Sequence, residues 1–208
     1  MTISSAEYKV RKSVAGPLTS LLEYAWNAIV AIILLLTTFP VLIWIYLKLK
    51  KSGTKNPLFA QCRVGKNGRE FTIYKFRTMV DDATKDGPFI CTDYQDSRIT
   101  EFGRFLRQKK LDELPQLINI LKGDMNFVGP RPEIPHFHQF NSENILHWEE
   151  RLQVKPGITG LAQIDRFVSH NPAEKIVLDL EYISHKSFLY DWEVMFKTVY
   201  YWFSNKYL

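Results

Sequence analysis

The stretch from Tyr24 to Leu47, YAWNAIVAIILLLTTFPVLIWIYL, runs for 24 residues without a formal charge. As a straight helix it would measure about 36 Å, against roughly 30 Å of bilayer hydrocarbon. The core helix of a soluble protein is seldom apolar on every face for that distance, so the segment is assigned to lipid. It does not read as a cleaved signal: the run is too long, a polar stretch precedes it, and no small-x-small pattern follows. Lys9, Arg11 and Lys12 flank one side, and Lys48, Lys50, Lys51 and Lys55 the other. Positive residues normally mark the cytoplasmic side, and here both ends carry them. Pro40 lies inside the block, where it removes a backbone hydrogen bond; Thr37 and Thr38 are placed to re-satisfy the freed carbonyls. A re-entrant helix that enters, bends at Pro40 and returns to the same face accounts for both observations. A kinked spanning helix is the competing topology.

Working outward, the composition changes after Lys55 to that of a globular domain, giving two parts, 1–55 and 56–208. Leu58–Arg63 and Glu70–Phe76 flank Gly65-Lys66-Asn67-Gly68, a β-hairpin signal. Asp81–Ser97 reads as loop and Arg98–Lys109 as a basic helix. A helix is expected from Asp112 to Lys122, with an apolar stripe of Leu114, Leu117, Ile118 and Leu121 and a stop at Gly123. Further helices are expected at Asn141–Leu152, at Glu174–His185 and from Asp191 onward, with Lys155–Gly160 as a turn-rich connector. The last helix carries Trp192, Phe196, Tyr200, Tyr201, Trp202, Phe203 and Tyr207 among Lys197 and Lys206, the make-up of a helix lying at a membrane surface. The fold class is therefore α+β, mainly α: a Pro-broken re-entrant membrane helix plus a small cytoplasmic domain of amphipathic helices with a β-hairpin.

Net charge is +5, from 27 Lys and Arg against 22 Asp and Glu. That excess suits nucleic acid, anionic lipid or a nucleotide-type substrate about equally. Cys62 and Cys91 form no C-x-x-C pair and read as free thiols.

Chemistry concentrates in Lys110-Leu111-Asp112-Glu113-Leu114-Pro115-Gln116-Leu117, followed by Asn126-Phe127-Val128-Gly129-Pro130-Arg131-Pro132-Glu133. Asp112 has the bland reading of a helix N-cap, with Glu113 favouring the dipole. Against it stand Arg104, Arg107, Lys109 and Lys110, more cations than a cap requires. Arg131 is confined between two prolines. Lys75 and Arg77, at the end of a hairpin strand, add two cations. A carboxylate, cations and a helix N-terminus brought together suit phosphate. Other chemistries fit poorly. The Gly-Lys pair lacks the rest of a P-loop, and neither a D-x-D triplet nor a G-x-S-x-G elbow occurs. His136 and His138 lack further zinc ligands nearby. A nucleic-acid partner would not need the lipid segment, and none is expected.

Lys75-Phe76-Arg77-Thr78-Met79, Leu111-Asp112-Glu113-Leu114-Pro115-Gln116-Leu117, Lys122-Gly123-Asp124-Met125, Gly129-Pro130-Arg131-Pro132 and Lys155-Pro156-Gly157-Ile158-Thr159-Gly160 together resemble the bacterial sugar transferases known as monotopic phosphoglycosyl transferases. The resemblance runs in order from about Tyr24 to the end. It implies the family's minimal form, at the cytoplasmic face of a bacterial inner membrane. It also implies transfer of a sugar 1-phosphate from a nucleoside diphosphate sugar to polyprenol phosphate, with Asp112 as nucleophile and a covalent phosphosugar intermediate. Mg²⁺ would be held with the help of Asp112 and Glu113, and Arg131 would hold a phosphate. Lys75, Arg77, Arg107 and Asp179 complete the substrate-binding candidates, the last by matching another acidic position of the family. Phe39-Pro40 departs from the Ser-Pro often found at the family's helix bend, and Asn126 stands where Ser is common. A homodimer is left open. The alternative from another class is a non-catalytic membrane adaptor whose basic face docks anionic polymer or a partner enzyme.

Overall fold

A computed structural model describes residues 16–81, 83, 96–165 and 171–204. The basic flank at Lys9, Arg11 and Lys12, Cys91, most of the Asp81–Ser97 loop, and Lys206 with Tyr207 lie outside the described residues. Helix α1, Pro17–Lys51, starts on a proline at its first position and ends on Lys48, Lys50 and Lys51, which favour the negative end of the helix dipole. Gly53 closes it at φ +88°. Its N–H bonds the Lys50 carbonyl, and that of Thr54 bonds Leu49, the paired bonds of a left-handed glycine cap.

α1 is long and apolar enough to cross a membrane, and only 11% of its most apolar window is buried. It is one continuous helix through Pro40. The carbonyl that Pro40 deprives of a donor is that of Leu36, four residues back. The Thr37 hydroxyl instead donates to Ile33 (2.9 Å) and Leu34 (3.1 Å), and the Thr38 hydroxyl to Leu34 (2.6 Å). The threonines bond one turn upstream rather than rescuing the orphan. Asn27, Ala31, Ile45 and Leu49 are buried, with Leu35 and Leu42 packed into the same clusters. Spacings of three and four residues make these one stripe, so a single face of α1 rests on the protein along most of its length.

Strands β1 (Leu58–Val64) and β2 (Glu70–Phe76) pair antiparallel from Leu58↔Phe76 to Val64↔Glu70. Asn67 at φ 56° and Gly68 at φ 76° make the left-handed turn that Asn-Gly supplies. Helix α2, Glu101–Gln108, is capped by the Thr100 hydroxyl, which accepts from Gly103 N–H at 3.0 Å. Beyond it the structure departs from expectation. Leu111–Gln116 is a 3-10 turn, and only Leu117–Leu121 (α3) is α-helical. Pro115 disfavours the α conformation at Leu114 and lacks an N–H, so the first turn tightens. Of the expected apolar stripe, Leu117 is buried but Ile118 is exposed, and Ile120, outside the stripe, is fully buried. Gly123, at φ 78°, ends the helix as expected.

The connector at Lys155–Gly160 contains a strand, β4 (Gly157–Thr159), parallel to β3 (Asn126–Val128). A Cβ on Gly157 would sit 2.1 Å from the Gly129 nitrogen, so these strands approach closely only because both positions are glycine. Helix α4 covers Pro135–Asn144, and Trp148–Gln153 is a second 3-10 turn, where one helix from Asn141 to Leu152 is expected. A short α5 (Leu161–Ile164) leads to α6 (Pro172–His185) and α7 (Phe188–Phe203). α7 fully buries Val194 and leaves Leu189, Phe196, Val199 and Tyr200 more than half exposed.

Three apolar clusters hold these parts together. One joins β3, Trp148, α6 and α7. The other two join α1 to the hairpin: Ala31 with Ile73, Leu117, Ile120 and Met125, and Ile45 and Leu49 with Phe76 and Leu106. The long helix is thus a wall of the domain.

Candidate active site

Lys110 adopts the left-handed conformation (φ 54°), turning the chain sharply out of α2 into the 3-10 turn. Asp112 is therefore not an N-cap; that position falls to Lys110, whose side chain makes no cap bond. The helix that follows is five residues long, so it offers little macrodipole. The positive field at the dyad comes from side chains.

Glu113 takes most of it. Its Oε1 accepts from Lys75 Nζ at 2.7 Å and from Arg131 Nη2 at 3.0 Å. Burial alone would raise the Glu113 carboxyl, but the charges of Lys75 and Arg131 and their hydrogen bonds hold it well below the usual range. In return Glu113 pushes Arg131 up, against its own burial. Asp112 is left in the opposite condition. The residue is 8% exposed, and among the described residues no group donates a hydrogen bond to its carboxylate. Burial first, then the Glu113 charge, raises its pKa; Lys75, Lys110 and Arg107 pull the other way. Two adjacent carboxylates are driven apart by environment, one saturated and ionised, the other without a donor among the described residues and of higher basicity.

Arg107 faces this site from α2, its Nε donating to the Thr78 hydroxyl at 2.9 Å. Arg77 is not brought to the dyad. Its Nε donates to the Asn56 carbonyl at 2.8 Å and lies 3.5 Å from Asp81. Asp179 is not at the dyad either. It is 2% exposed and accepts from Arg151 at 2.7 and 3.1 Å. Arg151 also donates to the Arg131 carbonyl at 2.8 Å, so Asp179 acts on the site through the backbone of the Pro130-Arg131-Pro132 loop. Glu133, next in the chain, binds Lys175. Burial opposes its ionisation, but Lys175 and Arg151 outweigh that and bring it to about 2.

Arg151, Glu133 and Lys175 are functional supports that sequence reasoning did not single out. Arg63 is another: it reaches the loop from β1, its Nη1 donating to the Pro132 carbonyl at 2.9 Å. The available signal was alternation along β1, which puts Gln61 and Arg63 on one face. His138 accepts from Trp148 Nε1 at 3.2 Å, a structural role in place of a zinc ligand. Pro40 lies in the exposed middle of α1, and Asn126, in the position where Ser was noted as common, donates its amide to Glu23 of that helix. The Phe127 N–H donates to Asn27 at 2.9 Å beside it.

Among the described residues no cluster of three or more His, Cys, Asp or Glu side chains could hold a metal. Asp112 and Glu113 supply two carboxylates, one without a donor. Mg²⁺ commonly takes one or two carboxylates and completes its shell with water and substrate phosphates, so the dyad fits such an ion.

Residues 18–205 match the family described as bacterial sugar transferase. The chain belongs to that family. Among curated relatives, this sugar transferase is 38% identical over 200 residues to the UDP-glucose:undecaprenyl-phosphate glucose-1-phosphate transferase of Escherichia coli (strain K12), covering 89% of this chain and 41% of that protein. It is 37% identical over 183 residues to the undecaprenyl-phosphate glucose phosphotransferase of Komagataeibacter xylinus, covering 84% and 34%. An uncharacterized sugar transferase, EpsL, of Bacillus subtilis (strain 168) is 35% identical over 179 residues, covering 86% of both. The match thus spans only 34% and 41% of the two longer relatives just named.

Proposed function

We propose that this sugar transferase moves a sugar 1-phosphate from a nucleoside diphosphate sugar, with uridine as the base, to a polyprenol phosphate. The carrying observation is the division of labour in the dyad: Lys75 and Arg131 saturate Glu113, while Asp112 keeps a carboxylate of raised basicity that has no hydrogen-bond donor among the described residues. The names of the relatives supply the substrate classes. In the first step an Asp112 oxygen bonds the donor's β-phosphorus. The bond from that phosphorus to the bridging oxygen breaks, releasing nucleoside monophosphate. An oxygen of the lipid phosphate then attacks the same phosphorus, the aspartyl bond breaks, and the carboxylate is restored. No proton need move in either step. Arg131, Lys75 and Arg107 offset the charge of the phosphates. Mg²⁺, held by Glu113 and Asp112, would supply further charge neutralisation when bound.

The same reading places the protein on one face of a bacterial inner membrane, the cytoplasmic one. α1 packs on the domain at Asn27 and Ala31 and again at Ile45 and Leu49, which favours entry and return within one leaflet over a crossing. The exposed aromatic face of α7 would lie in the headgroup layer. Testing takes a panel of UDP-sugars, a polyprenyl phosphate and membranes carrying the protein, with release of UMP as the signal. Mass spectrometry of enzyme trapped with donor alone should find the phosphosugar on the Asp112 peptide. Turnover without that adduct rejects the nucleophile, and no release with any donor returns the protein to the adaptor reading.

A further inference from the structure

We propose that the concavity between the C-terminal end of α1 and the open end of the hairpin binds the phosphate monoester of the lipid acceptor, with Arg77 and Lys50 as its cations. This rests on the transferase reading and assigns the second substrate a place within it. The concavity encloses about 630 Å³, and Tyr46, Lys50, Asn56, Phe59, Arg77 and Asp81 are among its walls. Its chemistry is that of an amphiphilic anion: two aromatic rings, two cations and one carboxylate. The carboxylate is already engaged, Asp81 accepting from Lys55 N–H at 3.0 Å and lying 3.5 Å from Arg77. Arg77 is held in place by the Asn56 carbonyl, its guanidinium 5.8 Å from the Phe59 ring. Lys50 is anchored by the Lys55 carbonyl at 2.9 Å.

Position gives the second argument. Tyr46 and Lys50 sit where the uncharged part of α1 ends and its lysines begin, the level of lipid headgroups for a helix in one leaflet. Phe59 pairs directly with Lys75 across the hairpin, and cross-strand partners share a face. Lys75 is the residue whose ammonium binds Glu113. Gln61 and Arg63 continue that face toward the Pro130-Arg131-Pro132 loop, where Arg63 bonds Pro132. One side of the hairpin therefore carries cations at both ends with Lys75 between them. Arg63 and Arg131 stand toward the Asn67-Gly68 turn, and Arg77 and Lys50 at the open end, beside the C-terminus of α1. Two residues along a strand span about 7 Å, so Arg77 is within a side-chain length of Lys75. An acceptor phosphate entering from the leaflet would meet Arg77 and Lys50 before reaching Asp112.

The two half-reactions separate this idea from its rivals. Arg77→Gln combined with Lys50→Gln, assayed in detergent micelles with a UDP-sugar and a short-chain polyprenyl phosphate, should raise the acceptor KM at least about tenfold, the cost of losing a charge-assisted contact. Single-turnover UMP release without acceptor should be unchanged, which also shows that the variant is folded. Arg77→Lys alone should recover part of the acceptor affinity, and Lys51→Gln, outside the concavity, should leave KM alone. An unchanged acceptor KM in the double variant overturns the proposal, as does an equal loss of the donor half-reaction. Inorganic phosphate competing with the acceptor as well as the lipid phosphate does would also overturn it, since the concavity would then take any free anion. Wild-type enzyme silent toward every donor would sink the transferase reading itself, and this site with it.

Discussion

Two clusters of carboxylates and cations lie on either side of the Pro130-Arg131-Pro132 loop, and they differ in what is left over. Behind the loop, Asp179, Arg151, Glu133 and Lys175 are mutually satisfied, all but the half-buried Glu133 being almost fully buried. In front, Glu113 is satisfied by Lys75 and Arg131, while Asp112 has charge nearby but, among the described residues, no donor on its oxygens. The same residue types make a brace in one place and the proposed nucleophile in the other. Composition does not separate them; the balance of donors to acceptors does.

The largest expected effect breaks the front cluster. Asp112→Asn should lower turnover by at least roughly a thousandfold, the scale of losing a covalent nucleophile, while the melting temperature holds or rises because a disfavoured charge beside Glu113 is gone. A variant that loses stability instead would make Asp112 a structural residue. Next is the brace. Asp179→Leu leaves the buried Arg151 with only the more distant Glu133, 3.8 Å away, and chemical denaturation in detergent should show a loss of about 3 kcal/mol. Equal stability would erase the contrast between the clusters.

A pH series sharpens it further. Asp112 is raised, so its ionised form disappears as pH falls at values above those of an ordinary aspartate, near 4. Glu133 is depressed to about 2, so its stabilisation is complete above its unfolded value near 4.5 and is lost only as pH falls toward 2. Activity should therefore fail on the acid side before the fold does, seen as separated midpoints in kcat/KM and in circular dichroism. The smallest effect lies where the membrane helix meets β3. Asn126→Ala removes one bond to Glu23, whose half-buried carboxylate keeps Lys186, and should cost about 1 kcal/mol.

Local signals carried much of this in the sequence. The Asn67-Gly68 turn, the Gly123 stop, the long uncharged helix and the aromatic last helix all sit where pattern and turn chemistry place them. Asp112, Glu113, Lys75 and Arg131 were legible as a group because an acidic pair among many cations is unusual at any spacing. The brace was not: Arg151 and Asp179 are 28 residues apart, and nothing local in either segment announces the other. The substrate-binding expectation for Asp179 rests on the family resemblance alone. The β3–β4 pair escaped because strands of three residues show no alternation, although Gly129 and Gly157 are what lets them touch. The tightened turn at Asp112 was hidden by Pro115, which suits the start of a helix and of a 3-10 turn alike.

The stripe of α1 that faces the protein also limits how the molecule can be made or remodelled. Cutting away residues 17–51 would strip the cover from Ile73, Leu117, Ile120 and Met125 on one side and from Phe76 and Leu106 on the other. An aqueous version of this protein cannot be reached by trimming an anchor; it would require rebuilding two apolar surfaces that the turn bearing Asp112 leans on.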